Sequence, residues 1–255
     1  PVAVWNPLQW SSANFTGAWH DVAGAGAFVG PIVLRTVLYV ALASLISLVI
    51  AYPAAYFVAR FAGRRKALFL ILLIAPFWIS YMMRMLAWID LLQTNGYVNK
   101  VLSSLHLISQ PVDWLGGMWI TVVLGLVYGY IPYLILVLYA GLDRIDQALI
   151  EAGRDLGLGR IRTFIRVTLP MSRQAILTGM LITVLPMLGD YFTNQLLSGT
   201  TGTAMFGNVI DDQLTSSGGV LAGQGAVFSL LFLLVLIAPM IYYVGATNRS
   251  SRGAT

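Results

Sequence analysis

Five long stretches of the chain carry no charge and are dense in Leu, Val, Ile and Phe: Thr36–Ala59, Ala67–Met83, Trp114–Leu142, Gln174–Gly189 and about Ala226–Ala246, the last inside a charge-free run from Gln213 to Asn248. A helix needs about 20 largely apolar residues to cross a bilayer, so each stretch reads as one span. The second and fourth are slightly short. They are expected to continue past Arg84 and Asp190, which places those charges inside or at the edge of the membrane. A transmembrane β-barrel would show alternating segments of roughly ten residues, whereas these runs are continuous. Each holds one interior proline (Pro53, Pro76, Pro132, Pro186, Pro239), expected to bend the rod without ending it. The pattern predicts an all-α membrane protein with five transmembrane helices in the numbered chain.

Composition agrees. Of 255 residues, 58% are hydrophobic and 10% charged, and the mean hydropathy is +0.79. A soluble domain carries roughly 25% charged residues, so a water-soluble fold, a disordered chain and a collagen are excluded. No cysteine is present, so neither disulfides nor thiol chemistry can be invoked. The only histidines are His20 and His106, too few for a histidine-based metal or catalytic site. No Ser/His/Asp set is available, and neither lysine context (Arg65-Lys66-Ala67, Asn99-Lys100-Val101) is a phosphate-binding loop. The chain reads as a non-enzyme with no catalytic residues, no metal site and no cofactor of its own.

Orientation follows from the basic residues. Twelve of the fifteen lie in three places that alternate crossing puts on one side: Arg60, Arg64, Arg65 and Lys66; Arg144, Arg154, Arg160, Arg162, Arg166 and Arg173; and Arg249 and Arg252 in the tail. The other side, made of residues 1–31, about 92–113 and 191–224, has only Lys100. Residues 60–66, 142–173 and the C-terminus are therefore expected in the cytoplasm, and segment 1–31 outside. An odd number of spans with an outer amino end and no initiator methionine predicts a sixth helix before Pro1. No linker divides the chain, so residues 1–255 read as one membrane domain. Gly24–Gly30 and Gly199–Gly225 read as external loops, the second with a short helix around Phe206–Leu214.

The segment 143–170 has its own pattern. Ile145, Leu149, Ala152 and Leu156 fall at i, i+4, i+7 and i+11, one face of a helix. Gly157-Leu158-Gly159 interrupts it; Ile161, Phe164, Ile165 and Leu169 restart it; Pro170 is expected to close it. The prediction is a helix–turn–helix on the cytoplasmic surface. By composition alone, such a segment could simply lie on anionic headgroups.

The spacing of residues within it adds a resemblance. Glu151-Ala152-Gly153, then Asp155 and Gly157, then nine residues to Val167-Thr168-Leu169-Pro170, resembles the EAA signature of permease subunits of binding-protein-dependent (type I) ABC importers. Gly153 stands for the second Ala and Val167 for Ile. Pro76-Phe77-Trp78, Asn95-Gly96-Tyr97-Val98-Asn99, Leu185-Pro186-Met187-Leu188-Gly189-Asp190-Tyr191 and Gly207-Asn208-Val209-Ile210 are similar to the spermidine/putrescine branch of that family. The resemblance implies that Glu151, Ala152, Gly153, Asp155, Gly157, Val167, Leu169 and Pro170 couple the permease to an ATPase. It further implies two cytoplasmic ATPase subunits that bind ATP and Mg, a second permease subunit of a different chain, an external substrate-binding protein, and a bacterial inner or plasma membrane. The solute would be a polyamine; ferric iron, sulfate, thiamine or an opine-like solute are the family's alternatives. No nucleic-acid partner is expected.

Ionisable groups near the membrane give an independent argument, because a charge there usually faces a cavity. Asp90 and Asp190 sit at outer ends of spans, followed by Asp211 and Asp212. Aromatic residues accompany them: Trp78, Tyr81, Trp88, Tyr128, Tyr130 and Tyr191. Carboxylates among aromatic faces suit a linear polycation, so Asp190, Tyr191, Asp90, Trp78, Tyr81 and Tyr128 are the candidate substrate path. Arg84 is expected to pair with a carboxylate or reach the headgroups. An ion-gradient-driven transporter would instead show inverted repeats and ionisable residues deep in the spans, and the sequence displays neither.

Overall fold

Two long apolar helices need a way to approach each other, since lipid tails compete equally well for apolar side chains. In a membrane, close backbone packing at small residues supplies the attraction. Along the second helix, Ala43, Ser47, Ala51, Ala55 and Ala59 recur every four residues, and all five are buried. They form one straight ridge. Leu134, Leu138 and Leu142 of the facing helix are fully buried in the cluster that includes Ala51, Ala55 and Ala59.

The computed structural model describes residues 12–24, 28–215 and 222–252. In order the helices are α1 (Ala13–Ala23), α2 (Val29–Phe61), α3 (Lys66–Ile74), α4 (Tyr81–Leu92), α5 (Tyr97–Ser104), α6 (Trp119–Asp143), α7 (Gln147–Asp155), α8 (Arg160–Thr163), α9 (Leu169–Leu188), α10 (Phe192–Leu197), α11 (Phe206–Thr215) and α12 (Ala222–Arg252). The bundle is built on α2, α6 and α9. The α6–α9 seam is also a close one: a Cβ at Gly179 would lie 2.7 Å from Leu134 Cδ1. Helix α12 packs on α11 and α1, where Ala18, Val29, Phe206, Val227 and Phe228 form an apolar cluster.

Three of the expected spans are rods: α2, α6, and a continuous 29-residue helix Arg160–Leu188, which gains its length on the Arg160 side and ends at Leu188, closed by Gly189, instead of continuing past Asp190. The fifth falls in the 31-residue α12, whose described apolar part, Gly223–Ala238, is shorter than the three rods. The second span differs. It runs from Gly63 to Trp78 and then turns by 84° into α4 instead of continuing past Arg84. Pro76 tightens Ala75–Trp78 into a 3₁₀ turn, and Ile79 and Ser80 are extended (ψ 139° and 140°). A proline removes a helical N–H and crowds the preceding turn, and here two extended residues complete the break. At Pro53, Pro132 and Pro186 the helices continue through.

The amino-terminal segment expected as an external loop holds α1, too short to span, and Gly30 already belongs to α2. Residues 1–11 and 25–27 of that segment, and 216–221 of the second glycine-rich loop, lie outside the described residues. Helix α11 matches the short helix expected near Phe206–Leu214.

The helix–turn–helix forms, with two corrections. Asp146 caps α7 by accepting from the Ala148 N–H at 2.9 Å. The turn is a Schellman close: Leu158 N–H donates to Gly153 O and Gly157 N–H to Arg154 O, with Gly157 at φ +83°. The first correction concerns the apolar face. Ile150 and Gly153 are the buried residues of α7, whereas Leu149 and Leu156 of the predicted stripe point outward, Leu156 being 85% exposed. The reason is that Ile145 precedes the helix, and inner packing goes to Ile150 with Phe164 of the next element. The second concerns Pro170, which ends nothing. A π-turn over Phe164–Thr168, with Leu169 N–H bonded to Phe164 O, carries α8 into α9. The wide turn leaves room for the proline ring at the first turn of α9.

Polar groups tie the two ends of the bundle. At the basic end, Arg60 Nη2 donates to Leu142 O and Ile145 O, both at 2.9 Å, closing the C-terminus of α6. Lys66 and Asp143 form an ion pair at 2.5 Å. Tyr52 shares a 2.8 Å hydrogen bond with Ser172, and Tyr52 and Tyr56 meet Phe164 edge-on at 5.8 and 5.6 Å. At the opposite end, Arg35 donates to the carbonyls of Thr201, Gly202 and Ala204. Buried Asn99 donates to Thr94 O and Val112 O and accepts from Val112 N–H and the Trp114 indole.

The ridge yields a stability prediction. Ala55→Leu inserts three carbons where α6 leaves no space and should lower stability by about 1–3 kcal/mol. Leu45→Ala, on an exposed face of α2, should matter less. Thermal unfolding of the two purified variants checks this, and an unchanged midpoint for Ala55→Leu would contradict the packing.

Candidate functional site

The junction between α9 and α10 carries a buried carboxylate. Gly189 closes α9 and Asp190, only 8% exposed, sits before the first turn of α10. Its Oδ1 accepts from Thr193 N–H at 2.9 Å and so satisfies a first-turn amide of α10, whose N-cap position is Tyr191. Its Oδ2 accepts from Thr193 Oγ1 at 2.7 Å, Tyr130 OH at 3.1 Å and Tyr81 OH at 3.4 Å. Tyr81 and Thr193 also share a short hydrogen bond. Three helices thus converge on one carboxylate: α4 brings Tyr81, α6 brings Tyr130, and α10 brings Thr193.

The chemistry of this arrangement is specific. Every donor to Asp190 is neutral, and Asp190 takes part in no ion pair among the described residues. The carboxylate is therefore satisfied as a hydrogen-bond acceptor while no cation among the described residues pairs with its charge. It opens on a cavity of about 260 Å³ lined by Tyr81, Tyr130, Pro186, Gly189, Asp190, Tyr191 and Phe192. A rigid carboxylate walled by aromatic rings attracts an ammonium group by charge and by the ring faces.

Close packing from α11 fixes the site from behind. Asn208 Nδ2 donates to Tyr191 O at 2.9 Å, and Asn208 Oδ1 accepts from Asn194 Nδ2 and Met205 N–H. A Cβ at Gly207 would lie 2.6 Å from Gly189 O, so only glycine lets α11 pass this backbone.

The expected substrate-path residues divide into three groups. Asp190, Tyr191 and Tyr81 line one cavity, joined by Tyr130. Tyr128 belongs to a neighbouring aromatic cluster with Phe77 and Trp88, at ring distances of 5.4 and 5.3 Å. Asp90 and Trp78 are exposed, Asp90 accepting from Gln93 at 3.0 Å and Trp78 standing at the bend. Arg84 makes no ion pair with a carboxylate among the described residues and does not reach out. It is buried over Phe77, Tyr81 and Tyr128, 4.5, 5.4 and 5.7 Å from the ring centroids. Thr193 lies outside the expected set; it stands three residues after Asp190, within reach of a side chain that bonds the first turn of the following helix.

At the other end of the Arg160–Leu188 rod, Glu151, Ala152, Asp155, Leu169 and Pro170 are exposed, Val167 is half-buried and Gly153 is buried. A Cβ at Gly153 would meet Thr163 and Val167 at 3.5 Å, ordinary contact, so alanine fits there. Leu156 (85% exposed) and Ile161 (76%) flank the Gly157 turn.

Residues 22–250 match the family described as binding-protein-dependent transport system inner membrane component. The chain is 36% identical over 172 residues to the spermidine/putrescine transport system permease protein PotB of Escherichia coli K12, covering 68% of this chain and 62% of that protein, less than two thirds of its length. It is 32% identical over 202 residues to PotB of Haemophilus influenzae (79% of this chain, 70% of that protein). It is also 31% identical over 224 residues to the inner membrane ABC transporter permease protein YdcU of Escherichia coli K12 (84% and 70%). Among solved structures, a chain of the bacterial alginate ABC transporter in complex with its pentasaccharide-bound periplasmic protein superposes with a TM-score of 0.71 at 18% identity (95% of this chain, 90% of that chain). A chain of the inward-facing MetNI methionine ABC transporter gives 0.59 at 16% identity (88% and 95%). At these identities the structural likeness speaks for the fold.

The hydroxyl network is testable on its own. Thr193→Val keeps the shape and removes a hydrogen bond to a buried carboxylate, worth about 1.5–3 kcal/mol. The thermal midpoint of the purified protein should fall; an unchanged midpoint would mean that this hydroxyl does not hold Asp190.

Proposed function

This chain belongs to the family of binding-protein-dependent transport system inner membrane components, and from that premise we propose that it is a permease subunit of an ATP-driven importer with polyamines as its solute. The observation that carries the solute class is Asp190: a buried carboxylate with only neutral hydrogen-bond donors, opening on a cavity walled by tyrosines. The names of the PotB relatives support the same class.

In this reading a second permease subunit of a different chain completes the path. An external binding protein delivers the solute to the end of the bundle that carries Asn99 and the Arg35-bound loop. Two cytoplasmic ATPases, which hold the ATP and Mg, engage the opposite end. The twelve clustered basic residues support that orientation in an inner membrane, with the C-terminus in the cytoplasm. The coupling surface is the tip formed by Leu149, Glu151, Asp155 and Leu156 with the Gly157 turn. The exposure of Leu149, Leu156 and Ile161 together on one arginine-rich segment is accounted for by a protein partner that covers them. Solute transfer then follows from alternating access: the ATPases move the tip, and the attached rod Arg160–Leu188 ends two residues before Asp190.

The solute reading is tested by Asp190→Asn in the transporter assembled with its partner subunits. Asn keeps the size and can still accept from Thr193 N–H, while the charge is gone. Polyamine uptake should fall about tenfold, since 1.4 kcal/mol is one decade, and basal ATP hydrolysis should persist. Equal loss of both activities would make Asp190 structural. Uptake of labelled ferric iron, sulfate, thiamine or opine in place of polyamine by the wild type would overturn the solute class.

Coupling is tested at the tip. Leu156→Asp should leave the spans inserted and weaken co-purification of the ATPase, and Gly157→Pro, incompatible with φ +83°, should abolish uptake. Normal co-purification and normal uptake in both variants would remove this segment from the interface.

A further inference from the structure

The path described above uses Asp190 and the tyrosines and leaves Arg84 without a task. Arg84 is 7% exposed, and its Nε and Nη1 are buried with no acceptor. No carboxylate pairs with it among the described residues. What surrounds the guanidinium is aromatic: Phe77, Tyr81 and Tyr128, with centroids 4.5, 5.4 and 5.7 Å away. An apolar side chain would fill this space without the penalty of a buried charge. Retention of a cation here calls for a role for the charge itself.

Tyr81 joins this cage to the solute site. One face of its ring meets Arg84, while its hydroxyl donates to Asp190. Both charges therefore bear on the same tyrosine, and neither neutralises the other in an ion pair. A guanidinium is weakly hydrated, sits well on ring faces and keeps its proton at any physiological pH. It is a permanent positive charge beside a carboxylate site.

We propose that Arg84 is a resident cation that sets the affinity of the Asp190 site: it occupies the aromatic cage that an ammonium group of the solute would otherwise enter, and its field weakens the hold of Asp190 on a polycation. The inference rests on the polyamine reading. A transport site must bind its solute firmly enough to admit it and loosely enough to release it. Asp190 with three tyrosines at hand would hold a polycation too long, and a fixed positive charge across Tyr81 corrects this without occupying the carboxylate. Arg84 is in this sense a residue that tunes specificity and release, not one that contacts the solute.

The test uses the transporter assembled with its partner subunits, with equilibrium binding of radiolabelled spermidine in the absence of the binding protein and uptake into proteoliposomes measured side by side. Arg84→Met and Arg84→Gln remove the charge and should tighten spermidine binding by about fivefold or more, an effect of the size that one nearby charge exerts at intermediate dielectric. Their maximal uptake rates should fall, because release becomes slow. Arg84→Lys retains the charge and should keep binding weak, which a purely steric role would not predict. Unchanged or weaker binding in both neutral variants, with wild-type uptake intact, overturns the proposal alone. Neutral variants that fail to assemble while Arg84→Lys assembles also overturn it, since the charge would then serve folding. A wild-type transporter that neither binds nor imports spermidine overturns the polyamine reading and this inference together.

Discussion

The close contact of α2 with α6 along Ala43, Ser47, Ala51, Ala55 and Ala59 is the constraint on which the other features rest. With five small side chains in line, the two backbones approach until the leucines of α6 fill the groove. That distance fixes where α6 can present Tyr130 to Asp190 at one end, and where Arg60 can reach Leu142 O at the other. It also decides where α9 lies, since Gly179 has to admit Leu134 from the same helix. Larger residues on the ridge would displace both ends of the bundle together.

The structure handles its intramembrane and boundary charges in three physically distinct ways. Arg35 is satisfied by backbone carbonyls of the 201–204 loop and acts as a clamp. Asp190 is satisfied by neutral hydroxyls and keeps its charge available. Arg84 is surrounded by ring faces and lacks acceptors for two of its nitrogens. Desolvation opposes all three; hydrogen bonds offset it at Arg35 and at Asp190, and ring faces alone at Arg84. Asp190 and Arg84 both meet Tyr81, one through its hydroxyl and the other through its ring.

Much of this was legible in the chain because hydrophobic runs and proline positions are local signals. The rods α2, α6 and α9 were visible in that way, and so was the basic asymmetry. The break after Trp78 was not, because Pro76 resembles Pro53, Pro132 and Pro186 in sequence; what separates it is the extended pair Ile79–Ser80 that follows the 3₁₀ turn. The stripe through Leu149 and Leu156 has the helical period, but periodicity shows that a face exists and not what covers it, and both leucines are exposed. Asp190 was singled out by its place at a span end. Its partners Tyr130 and Tyr81 come from α6 and α4, and pairings over such sequence separations leave no local trace. The burial of Arg84 on aromatic faces was hidden for the same reason.

The continuous helix from Arg160 to Leu188 has a mechanical consequence. At 1.5 Å per residue, 29 residues make a lever about 43 Å long. One extremity lies beside the exposed Gly157 turn, and the other stops two residues short of Asp190. Tilting such a lever by about five degrees sweeps its far end through roughly 4 Å, more than the length of a hydrogen bond. Under the proposed coupling, the π-turn at Phe164–Thr168 would be a joint near the driven end, and its stiffness would set how much of a push at the tip arrives at the carboxylate.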